Sequence, residues 1–329
     1  MSKLKIAFYY GDKRNTGQYD NGIWMDILGI PFIQKIDEAA NYDVIIRTLW
    51  MESTVQGWSR EIRKRWPQKI LIGLNDHPLS THISKMPSNQ QVAYLQDLAF
   101  LDGLMALTEE ERQWYQVAVP NIPVIKSGLP FPHQSYTEKY SDFLDSKKYF
   151  IGLGVGASDN DRNFVSSALV MNKLRETDPD LKGLFLSLPS YQLSPTSVYA
   201  DYFGGIFLHE RTEMAGFYER LSQCIFVINL ADRNTPGRIQ GEGAFFGVPV
   251  IGSNRLELQN ELFPDLATTP YCLEDVVGKA EFLLQNQDAI DKYVKYARTN
   301  LEKYNYRRSR SKFNKLLNTI LEKKTVQGV

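Results

Sequence analysis

The sequence predicts an α/β protein made of two parallel-sheet domains, and three observations carry the prediction. Short apolar runs of strand length alternate with helix-length segments along the whole chain. That alternation is interrupted between residues 128 and 147 by Gly128, Pro130, Pro132 and a charged run. The length, 329 residues, suggests two domains at about 150 residues each.

Composition narrows the class. Lysine and arginine total 38, as do aspartate and glutamate, so the formal net charge is zero. Apolar residues make up 43% and charged residues 23%, unlike the apolar-poor, strongly charged composition of disordered chains. The balance also excludes a generally basic nucleic-acid coat. No apolar run approaches the roughly 18 residues that span a bilayer. The N-terminal run Ile6 to Tyr10 is shorter than a secretory segment of about 7–15 apolar residues. A cytoplasmic chain, free or peripheral to a membrane, is expected. Cys224 and Cys272 are too few for a disulfide framework and are expected to be small buried hydrophobes. His77, His82, His133 and His209 are too scattered for a metal-binding helix motif, and no metal is expected.

The elements follow in order. Lys5 to Tyr10 is the first strand, followed by a polar loop from Gly11 to Gly22 and a helical stretch around Ile33 to Ala40. The β-branched run Asp43 to Thr48 is a buried strand, Ser59 to Trp66 a charged helix, and Lys69 to Leu74 the next strand. Val92 to Phe100 is a helix with Val92, Leu95 and Ala99 on one face, and Gly103 to Leu107 is a short strand. Thr108 to Glu111 is a capping box: the hydroxyl accepts the amide of the third helical residue, and the glutamate reaches back. Val124 and Ile125 close the first half. The second begins at Tyr149 to Leu153, continues through the helix Asn163 to Arg175, and has strands at Leu184 to Leu188 and Gly205 to Leu208. A helix at Glu213 to Leu221, a strand at Cys224 to Leu230, a helix at Ile239 to Phe246 and a strand at Val248 to Ile251 come next. Helices at Leu273 to Leu284 and Asp288 to Glu302 precede a basic amphipathic segment, Tyr306 to Lys324, with Phe313, Leu316, Leu317, Ile320 and Leu321 on one stripe.

Two stretches carry chemistry. Gly152, Gly154 and Gly156 sit between a strand and a helix, where glycines let the backbone approach a phosphate at a helix N-terminus. Dinucleotide binding is disfavoured, because Ala157 replaces the third glycine and Glu176 and Asp178 end a helix rather than a strand. Arg162 and Asn163 begin the following helix, where a cation can meet that phosphate. The second stretch runs from Asn229 to Asn254. A strand ends in a polar loop, Pro236-Gly237 turns into a helix, and Arg238 and Glu242 lie four residues apart on one helix face. A carboxylate there can accept two hydrogen bonds from a vicinal diol such as a ribose; equally, it can form a surface ion pair with Arg238.

The order of features from residue 205 to 262 resembles the C-terminal domain of retaining GT-B glycosyltransferases, which use nucleotide-sugar donors. In that family a strand leads to an E-x7-E motif with an internal Phe/Pro-Gly, a small-residue helix, a G-x-PVI strand and a downstream glutamate. Here Glu242 takes the second motif position, Pro236-Gly237 the internal one, Gly247 to Ile251 the strand and Glu261 the downstream acid. The N-terminal half is similar through Gly17, Asp76-His77, the run Asp102 to Glu111, and Gly128. Three departures stand out. Asn234 replaces the first motif glutamate, no arginine lies near Gly154 to Gly156, and the chain is short for the family.

The resemblance implies a GT-B fold: two Rossmann-like αβα domains facing a cleft, residues 1–145 on the acceptor side and 146–305 binding the donor, with helix 306–329 packing back on the first. It implies a metal-independent glycosyltransferase, retaining in outcome, with no cofactor beyond its nucleotide-diphospho-sugar donor. Glu242 would hold the ribose, and Asn234 the donor sugar. The amides around Gly237, in the Pro236-Gly237 turn, with Arg162 and Arg238 or Arg233, would meet the diphosphate. Thr16 and Gly17 join the donor-binding set and, with His133, border the acceptor's approach. His77 would contact the transferred sugar or acceptor, and Asp76 would assist proton transfer. The acceptor is open: a glycan, a lipid-linked sugar, a protein or a modified nucleic acid. The basic run at 304–315 offers either contact with an anionic surface or a solvated helix face. Two other functions remain: a nucleotide-sugar-binding protein of weak activity, supported by Asn234, and a nucleotide-sugar epimerase of related fold.

Overall fold

The computed structural model describes residues 4–9, 20–49, 56–75, 79, 83, 86–153, 163–187, 202–203 and 207–326. The chain forms two compact units, Met1–Pro132 with Tyr304–Val329, and His133–Lys303.

The first unit contains β1 (Ile6–Tyr9), α1 (Asp20–Leu28), β2 (Phe32–Ile33), β3 (Val44–Thr48), α2 (Trp58–Arg65) and β4 (Ile70–Leu74). It continues with α3 (Ser88–Leu98), β5 (Gly103–Ala106), α4 (Glu109–Ala118) and β6 (Val124–Lys126). Its six strands are parallel, in the order β2-β1-β3-β4-β5-β6. Every residue of β3 and β4 is buried, as expected of strands covered on both faces. The period-2 alternation sorts the side chains. Ala7, Ile45 and Leu71 pack with Ile62, Tyr94, Leu98 and Tyr115. Phe8, Ile46 and Ile72 pack with Trp24 and Ile27 and with Phe313, Leu316, Leu317 and Ile320 of the C-terminal helix Tyr306–Val326. The apolar stripe of that helix therefore belongs to the first unit's core.

The capping box forms as read. Thr108 Oγ1 accepts from the Glu111 amide at 3.2 Å, and Glu111 Oε2 accepts from the Thr108 amide at 3.2 Å. Three expectations are corrected. The stretch Ile33 to Ala40 is the two-residue strand β2 followed by a 3-10 turn, Ile36–Asn41. The loop expected to run to Gly22 gives way to α1 at Asp20. On α3, Tyr94, Asp97 and Leu98 face inward, while Val92, Leu95 and Ala99 are exposed. Tyr94 and Leu98 form an i, i+4 apolar pair, and Asp97 is drawn in by a buried ion pair with Arg47. Ser59 also accepts from Arg47, and the guanidinium lies 5.8 Å from the Trp58 ring centre.

The second unit opens with α5 (His133–Tyr140), then β7 (Phe150–Leu153), α6 (Phe164–Arg175), β8 (Gly183–Ser187), β9 (Phe207–Arg211) and α7 (Met214–Ser222). It continues with β10 (Cys224–Asn229), α8 (Arg238–Phe246), β11 (Val250–Ser253), α9 (Glu257–Leu262), β12 (Ala267–Thr268), α10 (Leu273–Gln285) and α11 (Gln287–Leu301). Its parallel sheet has the order β12-β11-β10-β7-β8-β9. Residues 133–140 were expected to be linker before a boundary at 145. They instead form α5, whose Tyr136 ring lies 5.0 Å from Tyr218 and 5.5 Å from Phe245. The units therefore divide between Pro132 and His133. Among the described residues no helix is long and apolar enough to cross a membrane.

Candidate functional site

Topology locates the site of the second unit. From β7 the chain steps one way to β8 and β9; from β10 it steps the other way to β11 and β12. Right-handed crossovers in opposite directions put α6 on one face of the sheet and α8 on the other. The carboxyl ends of β7 and β10, between the two runs, are the switch point where open α/β sheets bind ligands. The segment after β7 carries Gly154, Gly156 and Arg162, which lie outside the described residues, as do Thr16, Gly17, Asp76 and His77. The segment after β10 is described, and it contains the other expected residues.

That segment is held by its neighbours. The Glu257 amide donates to the Thr235 carbonyl at 3.1 Å and the Leu258 amide to the Pro236 carbonyl at 2.8 Å. Arg255 pairs with Asp232 at 2.6 Å, and the Tyr271 hydroxyl donates to Asp232 at 2.8 Å. Asn234, half-buried, sits between these anchors. Gly237 caps α8 with φ 84° and, having no side chain, makes no side-chain hydrogen bond to the first amides of that helix. A Cβ at Gly237 would meet Gln240 Oε1 at 2.6 Å.

Three buried amides lie beside this turn. Gln259 donates Nε2 to the carbonyls of Val250 and Phe263, at 2.8 and 3.0 Å, so its Oε1 must face Gln240 Nε2, 3.1 Å away. Gln240 Oε1 is thereby turned toward Gly237 with no hydrogen-bond partner among the described residues. Asn229, fully buried at the end of β10, likewise has no partner for either amide atom among the described residues. Unpaired buried polar groups each cost about 1–3 kcal/mol, and they stand at the switch point.

Glu242 sits one turn further along α8 and is only 2% exposed. Its Oε1 lies within reach of donation from the Tyr136 hydroxyl at 3.2 Å and the Tyr218 hydroxyl at 3.1 Å, and those hydroxyls also touch each other, so their two protons serve two of the three contacts at a time. Burial first, and then the Glu242 charge, push both phenols well above their ordinary pKa. They therefore remain protonated donors. Arg238 Nε lies 3.7 Å from the same oxygen. The ion pair weighed in the sequence is thus present, but its acidic partner is interior rather than on the surface.

The remaining residues fall as follows. Asn163 caps α6 in a left-handed conformation, φ 49°, and accepts from Ser166 Oγ at 2.9 Å. His133 Nε2 is 3.7 Å from Glu302, and burial lowers the imidazole pKa. In the basic run, Arg310 donates to the Ile27 carbonyl at 2.7 Å and Lys312 to the Ser127 carbonyl at 2.9 Å, leaving Arg307, Arg308 and Lys315 exposed. Cys224 is buried and Cys272 exposed, which corrects the expectation for the latter. Among the described residues no group of three or more His, Cys, Asp and Glu side chains could hold a metal ion. Sequence reading missed Tyr136, Tyr218, Asn229 and the Gln240–Gln259 pair. Tyr136 lay in a supposed linker, and the others are brought together only by tertiary packing.

No protein-family model and no curated protein sequence matches the chain. Solved structures do. A UDP-forming α,α-trehalose-phosphate synthase from Burkholderia xenovorans matches with TM-score 0.72 and 11% identity, over 91% of this chain and 79% of that one. A trehalose-6-phosphate structure from E. coli, bound with UDP-2-fluoro glucose, matches with TM-score 0.68 and 12% identity, over 94% of this chain and 92% of that one. S. aureus TarM, in complex with Fondaparinux, α-GlcNAc-glycerol and UDP, matches with TM-score 0.65 and 12% identity, over 84% of this chain and 55% of that one. At such identities the likeness establishes the fold, an α/β chain with two parallel sheets matching GT-B glycosyltransferase structures.

Proposed function

We propose that this chain is a glycosyltransferase that moves a sugar from a nucleotide-diphospho-sugar to an acceptor, with retention and without a metal ion. The observation that carries the reading is the N-terminus of α8 at the switch point, capped by Gly237 without a side chain. Such amides favour an anion, and the Arg238 side chain follows directly. A diphosphate there would have its developing negative charge stabilised as the sugar departs, with Arg162 and Arg233 as further cations. Glu242 is assigned to the ribose and Asn234 to a hydroxyl of the donor sugar; an amide there recognises without adding charge. Pro236 shapes the turn. Roles for Thr16, Gly17, Asp76 and His77 rest on the family resemblance alone. The acceptor is a glycan, a lipid-linked sugar, a protein or a modified nucleic acid. Arg307, Arg308 and Lys315 are the cations available for an anionic surface. Two of the similar structures hold UDP or a UDP-sugar analogue, which makes uridine nucleotides the first probes.

The test is thermal stabilisation by a panel of UDP-, GDP-, ADP- and dTDP-sugars. A donor at 100 times its Kd stabilises the folded chain by about 2.7 kcal/mol. One nucleotide class should raise the melting temperature, and Glu242→Ala should abolish the effect. No stabilisation by any of them, or full affinity in the variant, would sink the reading. Stabilisation without transfer or hydrolysis would favour the second reading, a binding protein, for which Asn234 speaks.

A further inference from the structure

Glu242 carries the ribose role in the function proposed above, yet its carboxylate is already engaged. Two hydroxyls donate to one of its oxygens, from Tyr136 on α5 and Tyr218 on α7, at 3.2 and 3.1 Å. The two hydroxyls also lie within hydrogen-bonding reach of each other, and with one proton each they satisfy two of the three contacts at a time. A pair of adjacent hydroxyls presented to one carboxylate is the pattern that a vicinal diol of ribose would present. The surroundings are closed: Glu242 is 2% exposed, Tyr218 1% and Tyr136 7%. Phe245 and Phe246 complete the wall, their ring centres 5.5 and 6.3 Å from that of Tyr136, and the Tyr218 ring stacks on Phe246 at 5.4 Å. A ribose cannot reach this carboxylate in the arrangement described, because almost none of it faces solvent.

We propose that Tyr136 and Tyr218 form an internal latch, two hydroxyls that occupy Glu242 in place of a ribose diol and must release it before the donor's ribose is bound. The inference rests on the donor reading and adds a specificity device to it. The cost of opening falls only on a nucleotide whose ribose hydroxyls displace the phenols from Glu242; one that lacks them leaves the latch closed and neither breaks nor recovers those hydrogen bonds. Apparent affinity is the intrinsic affinity reduced by the fraction of open chains. Removing the phenolic oxygens while keeping the rings preserves the packing and abolishes the competition.

The experiment is calorimetric titration of UDP and of 2′,3′-dideoxy-UDP into the wild-type chain and into the double variant Tyr136→Phe, Tyr218→Phe, with far-UV circular dichroism to check the fold. The latch predicts that UDP binds the double variant about tenfold tighter, about 1.4 kcal/mol, while the dideoxy analogue gains less than twofold. If UDP binds the wild type and gains nothing, or if both nucleotides gain equally, the latch is overturned and the donor reading stands. If neither protein binds UDP or any other nucleoside diphosphate, the donor reading fails and the latch with it. Should the double variant unfold, the single variant Tyr136→Phe carries the same comparison, with a smaller gain that is again confined to UDP.

Discussion

The helix that bears Glu242 is set against the sheet by a glycine, which makes Gly243→Ala the sharpest probe of how α8 is placed. Gly243 has no unusual backbone angle, so the argument is one of space. A Cβ there would lie 2.6 Å from the Val248 carbonyl oxygen and 2.8 Å from Val250 Cγ2. Ordinary contact begins at 3.4 Å, so about 0.8 Å must open between helix and strand, against a backbone oxygen that cannot rotate away. The Val248 amide also donates to the Gly243 carbonyl at 2.8 Å, which ties the two segments at the same point. Overpacking of this kind costs about 1–3 kcal/mol, while alanine in a helix interior returns about 0.8–1 kcal/mol. A net loss of about 0–2 kcal/mol, centred near 1, is expected. Gly278, inside α10, is the control: a Cβ there meets nothing within 4 Å, so Gly278→Ala should stabilise by about 1 kcal/mol. Thermal unfolding followed by circular dichroism reads both, at roughly 2–4 °C per kcal/mol for a unit of this size. A Gly243→Ala melting temperature above wild type would refute the reasoning. So would equal losses in the two variants.

Other outcomes follow from single contacts. Asp97→Ala strands the buried Arg47 charge and should cost about 3–5 kcal/mol; a loss below about 1 kcal/mol in denaturant unfolding would contradict that burial. Lys148 donates to the carbonyls of Ser222 and Phe246, at 2.6 and 3.3 Å, and burial brings its pKa down to about 8 from 10.5. Between those values the unfolded chain binds the extra proton, so stability rises with pH there. The wild type should gain up to about 3 kcal/mol on Lys148→Met from pH 7.5 to 10.5, and a pH-independent difference in melting temperature would oppose this. Burial pushes the Cys224 thiol up to about 12, while Cys272 is exposed. A thiol reagent at pH 8 should titrate one cysteine in the native chain and two after denaturation; two fast-reacting native thiols would contradict the structure.

Local signals made much of the fold legible. The β-branched run at β3 reads as a buried strand and the short apolar run at β4 as the next strand, and both are buried throughout. The Thr108–Glu111 box fixed a helix start, and the stripe from Phe313 to Ile320 fixed a buried helix face. Signals failed where they were too short or had rivals. β2 and β12 are two residues each, below any periodicity. On α3 the apolar stripe through Val92, Leu95 and Ala99 lost to Tyr94 and Leu98, because Asp97 on their side gains Arg47, a partner 50 residues away. The segment 133–140 reads as linker but is a helix whose Tyr136 packs among Tyr218 and Phe245, partners far away in sequence.

The same division runs through the site. By itself the sequence determined that a polar loop, a glycine turn and a helix with Arg238 and Glu242 follow a buried strand, since spacing alone puts those side chains on one face. Only the tertiary structure decided which way that face looks. Strand order made the carboxyl ends of β7 and β10 a switch point, and the packing of α5 and α7 closed two tyrosine hydroxyls over Glu242. A carboxylate's partners are set by distances across the chain, 106 residues in the case of Tyr136, and no local pattern encodes them.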